Sequence, residues 1–245
     1  MTSAVRGHAL SSVLLALVLA VSGCSGTTEE PDSGASSTQP QARPPSEICG
    51  GVLGASGAAA LAKVRGSELF DDVDRDDMRE RPLPQAAESL STEAAPNAGN
   101  GKSTYLCLAR TRDQFAVGSF DISAKWRRLK PGDEERASSK TRSAYDLAEK
   151  TGQSRFVPYA STSAASGTVM FSCPVAAGRE EGVVLALDMM SFLLAQSGTE
   201  DKAPELLVRV IHPVAVKLAT DMGCLEESRL PRTLGELNPL PSRSD

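Results

Sequence analysis

Histidine is almost missing from this chain, with two in 245 residues, and one of those, His8, lies within the first two dozen. A site built on several imidazoles is thereby excluded, zinc protease centres among them, and a serine or cysteine nucleophile has one candidate base, His212. Aromatic residues are scarce at 4%, which leaves few platforms for stacking sugars and predicts a core of Ala, Val and Leu. Positive charge is not in excess either. Lys and Arg number 26 against 31 Asp and Glu, a formal net charge of −5, so the basic stripe that neutralises phosphates is lacking and no nucleic-acid partner is expected. Closely spaced cysteine pairs are absent, which removes the zinc knuckle, and no metal or other cofactor is expected.

What the first residues do contain is an export pattern. A lone Arg6 precedes the apolar run from Val13 to Val21, too short for a bilayer core of about 30 Å but suited to a signal peptide. It ends in Val21-Ser22-Gly23-Cys24. This resembles the lipobox of bacterial lipoprotein signals, which implies a diacylglyceryl thioether on Cys24, cleavage before it and acylation of the new amine. Residues 1–23 are thus read as a signal peptide, and its loss removes Arg6 and no acid, leaving the mature chain more acidic. The expected location is the outer face of the cell membrane, with a lipid on Cys24 as the anchor.

Residues 24–46 are Ser, Thr, Gly, Pro, Gln and Glu with almost no apolar side chain, a composition that cannot offset the entropy of ordering the backbone. They read as a disordered tether with an r.m.s. reach of roughly 25 to 30 Å. Residues 47–225 read as the folded domain and 226–245, with Pro231, Pro239 and Pro241, as a loosely ordered tail.

Within the domain, Ser46 is placed to cap a short helix reaching about Leu53. Ser56 is placed to cap a second, carrying Ala58, Ala59, Leu61, Ala62 and Val64 and ended by Gly66. An acidic loop covers 68–80, a helix with Pro84 in its first turn covers Leu83 to Leu90, and 91–103 is loop. From Thr104 the period changes to two. Thr104 to Ala109 and Gln114 to Trp126 form a hairpin in which Phe120, Ile122, Ala124 and Trp126 alternate with polar residues. After a charged loop at 131–140, Ser143 to Glu149 reads as a short helix. Thr168 to Val175 and Gly182 to Met189 make a second hairpin. A last helix from about Ala203 to Met222 carries Leu206, Leu207, Val210, Ile211, Val214, Leu218 and Met222 on one stripe, with a bend expected at Pro213, where the missing amide and ring clash cost about 3 kcal/mol. The predicted fold class is therefore α+β, an antiparallel sheet from two hairpins with helices packed on one face.

The five cysteines reduce to an even set once Cys24 is lipidated: Cys49, Cys107, Cys173 and Cys224. Outside the cytoplasm such a set is a disulfide framework with three possible connectivities. Stapling each helix to its nearest hairpin favours Cys49 with Cys107 and Cys173 with Cys224.

Other motifs resolve into plain structure. Gly101-Lys102-Ser103 echoes the end of a phosphate-binding loop, but Pro96 stands where its first glycine belongs and a strand follows in place of a helix. Asp72, Asp74 and Asp76 have the alternate spacing of a calcium loop, yet Asp77 and Leu83 occupy its glycine and glutamate positions. Trp126 and Phe120 fit a core at strand spacing. His212, ahead of Pro213, reads as a packed helix residue.

With the lipobox, the Ser/Pro tether, Glu47-Ile48-Cys49-Gly50-Gly51, Phe171-Ser172-Cys173 and Asp221-Met222-Gly223-Cys224, the chain resembles actinobacterial secreted lipoproteins of unknown function over roughly residues 11 to 225. The resemblance implies an exported, anchored α+β domain and assigns no catalytic residue. The expectation is a non-catalytic binding module for a small or envelope-derived ligand, held in a groove between sheet and helices. The alternatives are a structural or protein-interaction module of the envelope, with a protein partner, and less favourably a secreted hydrolase.

Overall fold

Alternation in Phe120, Ile122, Ala124 and Trp126 places all four on one side of a strand, and in the computed structural model all four are fully buried. The structure describes residues 42–73, 80–112, 118–130, 142–147, 156–175, 180–191 and 202–241, all within one compact unit, Thr38–Asp245. The strands are β1 (Phe70–Asp72), β2 (Thr104–Thr111), β3 (Ser119–Arg128), β4 (Ser143–Asp146), β5 (Tyr159–Thr162), β6 (Ser166–Phe171) and β7 (Val183–Ser191). They form one sheet in the order β1-β2-β3-β7-β6-β5-β4, every pair antiparallel. The protein is therefore α+β. Two meanders, β1-β2-β3 and β4-β5-β6-β7, meet where β3 pairs β7 along its whole length, Phe120 opposite Ser191 through Arg128 opposite Val183.

The helices are α1 (Gly54–Arg65), α2 (Leu83–Thr92), α3 (Ala203–Asp221) and α4 (Leu225–Ser228). The stripe read on α3 is the buried one: Leu207, Val210, Ile211, Val214 and Leu218 join Leu61 and Val64 of α1 and the inward residues of β3, β6 and β7 in a single core. Two glycines set how close α3 comes. A Cβ on Gly167 of β6 would lie 2.8 Å from Ile211 Cδ1, and one on Gly57 of α1 would lie 3.2 Å from both Pro213 Cγ and the Arg209 carbonyl oxygen. That carbonyl is the one Pro213 leaves without its helical amide. The bare Gly57 backbone occupies the space beside it, and α3 continues through Pro213 as one helix.

Arg65 ends α1 with a buried guanidinium that donates to Ser191 Oγ and to the Gly118 carbonyl, both at 2.6 Å. It ties the helix layer to the ends of β3 and β7, and Gly66 then stops the helix in the left-handed conformation, φ 61°. The Trp126 indole donates to the Leu90 carbonyl at 2.9 Å, so the one tryptophan is a core residue joining β3 to α2.

Several sequence expectations need correction. The helix expected from Ser143 does not form there: Ser143–Asp146 is β4, paired to β5 from Ser143 opposite Thr162 to Asp146 opposite Tyr159, and cross-strand hydrogen bonding overrides the local preference, while 148 and 149 lie outside the described residues. Tyr159–Thr162, for which the sequence predicts no element, is β5, and the acidic loop contains β1. Neither serine caps its helix. Leu53 precedes α1, with Ser56 inside its first turn, and the segment after Ser46 is a 3-10 turn, Ile48–Gly51, with left-handed backbone at Cys49 and Gly50.

Both sheet edges are met by flanking chain. Arg43 exchanges backbone hydrogen bonds with Phe70 at 2.8 and 2.9 Å outside β1. Pro239 bridges Tyr145 outside β4, where the Leu240 amide donates to the Ala144 carbonyl at 2.7 Å. The segment read as a loose tail thus covers an edge, with Leu230 and Leu237 buried in the main core. Covering edges in this way blocks edge-to-edge pairing.

Candidate binding groove

Pro213, Val216, Lys217 and Thr220 fall at i, i+3, i+4 and i+7, a second stripe of α3 that flanks the core stripe. It forms one wall of a groove of about 880 Å³, within the range that holds a small organic ligand. The opposite wall is the start of α2, Pro82, Leu83 and Pro84, with Glu80 before it. The 3-10 turn at Cys49 to Val52 closes one side, Leu106 of β2 contributes from the sheet, and Arg232 contributes from the segment after α4. The lining is mostly apolar, with three charges.

Those charges are held. Lys217 Nζ donates to Asp221 Oδ1, one turn on, and Arg232 Nη2 pairs with Glu226 Oε1 at 3.0 Å. The Glu80 carboxylate accepts the Leu108 amide at 3.2 Å. Burial of that carboxyl raises its pKa, against the lowering effects of the Leu108 hydrogen bond and of Arg43. An apolar floor with a carboxyl at one wall and cations at the other can seat an uncharged or amphiphilic molecule.

The cysteines pair as the helix-to-hairpin argument favoured. Cys49 and Cys107 are disulfide-bonded with Cα atoms 4.9 Å apart, and Cys173 and Cys224 with Cα atoms 5.3 Å apart. The first bond fixes the 3-10 turn to β2 and so sets one side of the groove. The second ties the chain after β6 to the start of α4.

His212 lies on the buried side of α3, only 3% exposed. One ring nitrogen donates to the Pro231 carbonyl, Nε2 has no hydrogen-bond partner among the described residues, and desolvation lowers its pKa to about 4. It is absent from the groove lining. Gly101-Lys102-Ser103 is irregular chain leading into β2: the Gly101 amide donates to the Trp126 carbonyl at 2.6 Å and the Lys102 amide to Glu93 Oε1 at 3.2 Å. Asp72 lies in β1, whereas Asp74 and Asp76 are outside the described residues, as is Cys24. Among the described residues no cluster of three His, Cys, Asp or Glu is placed to hold a metal, and no helix is long and apolar enough to cross a membrane.

No family model, curated protein or solved structure matches this chain.

The groove was not foreseen at the residue level because it gathers segments distant in sequence. Two signals for it were nonetheless present: the second stripe of α3, and the Gly50-Gly51 pair that broke the helical pattern.

Proposed function

We propose that this protein is a lipid-anchored, non-catalytic binding module of the cell envelope that takes a small, largely apolar ligand. The observation that carries the reading is the groove of about 880 Å³ between α3, the start of α2 and the disulfide-bound turn. Its apolar lining supplies affinity by burying ligand surface, and its few charged groups set orientation. The lipobox at Val21 to Cys24 supports export and attachment, and the two disulfides fit an oxidising location. In this reading the domain stands off the outer face of the membrane on the 24–46 tether. Its sheet grows outward from the two hairpins β2-β3 and β6-β7, with the helices on one face, an arrangement supported by the single core shared by α1, α3 and the inward residues of β3 and β7.

Native mass spectrometry of the protein purified from its own envelope tests the binding role. The expected result is an added mass that unfolding removes and that Val216→Trp, which obstructs the α3 wall of the groove, reduces or abolishes. A bare protein of unadorned mass overturns the small-ligand reading in favour of a protein-interaction module. Cys24→Ala tests the anchor: the protein should move from the membrane fraction to the medium, and retention in the membrane overturns the lipid attachment.

A further inference from the structure

The two disulfides differ in access and in backbone conformation, and that difference carries a chemical consequence. Cys173 and Cys224 are 0% and 1% exposed, and neither borders the groove. Cys107 is 1% exposed, whereas Cys49 is 8% exposed and lines the groove wall. Cys49 is also one of only two non-glycine residues in the described chain with positive φ, at 53°, and it opens a left-handed run with Gly50 and Gly51 at 64° and 75°. A Cβ in that region clashes with its own backbone, so Cys49 holds this conformation only because its surroundings impose it. The bond to β2 is one of those constraints. Cleaving it frees the turn to return to ordinary dihedrals, and conformational relief of this kind makes a bond easier to reduce.

We propose that Cys49–Cys107 is a thiol-exchange site, open to low-molecular-weight thiols entering through the groove, and that Cys173–Cys224 is a structural bond closed to them. A thiolate attacks Cys49 Sγ, forming a mixed disulfide there while the electron pair of the broken S–S bond leaves on Cys107 Sγ, which takes a proton. A second thiol attacks the outer sulfur of the mixed disulfide and releases Cys49 as a thiolate, which is protonated in turn. Two thiols are oxidised to one small disulfide, and one protein disulfide is reduced to two thiols. Opening the bond releases residues 49–52 from β2 and so alters one side of the groove.

The experiment is timed alkylation of the full, folded protein in increasing concentrations of glutathione, with the cysteines resolved by peptide mapping. Cys49 and Cys107 are expected to be modified at least about tenfold faster than Cys173 and Cys224, at a rate rising in proportion to thiol concentration, as direct attack requires. Equal rates for the two bonds, or a rate that levels off at the speed of global unfolding, overturn the proposal. Acid-trapped intermediates should carry glutathione on Cys49, and an adduct on Cys107 overturns the stated direction of attack. Val216→Trp should slow exchange at Cys49–Cys107 and leave Cys173–Cys224 unchanged; an unchanged rate at both overturns the groove as the route.

Discussion

The two disulfide corners are built from the same bond and do different work. At Cys173–Cys224 both sulfurs belong to the core and the neighbouring chain is α4, with Leu225 and Ser228 buried around it. At Cys49–Cys107 the bond holds a left-handed turn against β2 at the edge of a groove. The loops closed are nearly equal, with sequence separations of 58 and 51 residues, so chain entropy alone gives about 4 kcal/mol to each. Any difference in their net worth therefore arises in the native state. One corner stabilises the fold, and the other uses part of its stabilisation to keep a left-handed turn against the groove.

The sharpest way to break this comparison is to remove each bond. Cys173→Ala with Cys224→Ala should lower unfolding free energy by about 4 kcal/mol. Cys49→Ala with Cys107→Ala should cost about 1 kcal/mol less, because releasing the turn recovers the penalty of a left-handed non-glycine residue. Guanidinium titrations of the two variants measure both numbers. Equal losses would show that the groove-side turn holds no conformational cost.

Proton linkage separates the core from the groove side by sign. His212 lies on the buried side of α3, hydrogen-bonded to the Pro231 carbonyl, and is held neutral, its pKa near 4 against an ordinary 6.5. The unfolded chain therefore binds more protons between those values, and stability rises with pH across that window. Full stability is present above pH 6.5, and about 3 kcal/mol is lost as pH falls toward 4. Glu80 on the groove side has a raised pKa, so its effect runs the other way: stability is highest in the acid range and declines as pH rises through the folded-state value. Urea titrations from pH 4 to 8 should show a net rise with pH. His212→Phe should flatten that rise and Glu80→Gln should steepen it, and a slope untouched by His212→Phe would remove the histidine from the account.

How much of this was legible in advance depends on the range of the interactions involved. The alternation in β3 and the stripe on α3 are local periods, and both mark the core that the structure shows. The cysteine pairs followed from placing each cysteine on an element. By contrast, β4 and β5 are four residues each, too short for a period, and Ser143-Ala144-Tyr145-Asp146 becomes a strand only because β5 lies beside it. The segment from Leu230 to Leu240 has no period at all. Its order comes from two buried leucines and one edge bridge, which composition does not announce. The groove is the extreme case, since Cys49, Leu83, Val216 and Arg232 meet only after every element has packed.

A smaller effect tests the seam that connects groove and core. Pro213 lines the groove on one side, and its ring contacts Gly57 on the α1 side. Gly57→Ala places a methyl 3.2 Å from the Arg209 carbonyl and from Pro213 Cγ, contacts that only movement of α1 relative to α3 can relieve. The loss should be about 1 to 3 kcal/mol, less the few tenths to 1 kcal/mol that alanine returns by restricting the unfolded chain. A neutral or stabilising result in thermal denaturation would mean that the two helices have slack at this crossing.

The smallest stability effect belongs to Val216→Trp, and its value lies in that smallness. Val216 is half-buried, borders the groove and packs in part against the core, so the added bulk of the larger side chain goes chiefly to the groove. The expected change in stability is about 1 kcal/mol or less. A protein that keeps its denaturation midpoint while losing its bound mass would separate the groove from the core it rests on. If the unfolding free energy fell by several kcal/mol, the α3 stripe at 213, 216, 217 and 220 would instead be part of the packing, and the two corners would differ in exposure alone.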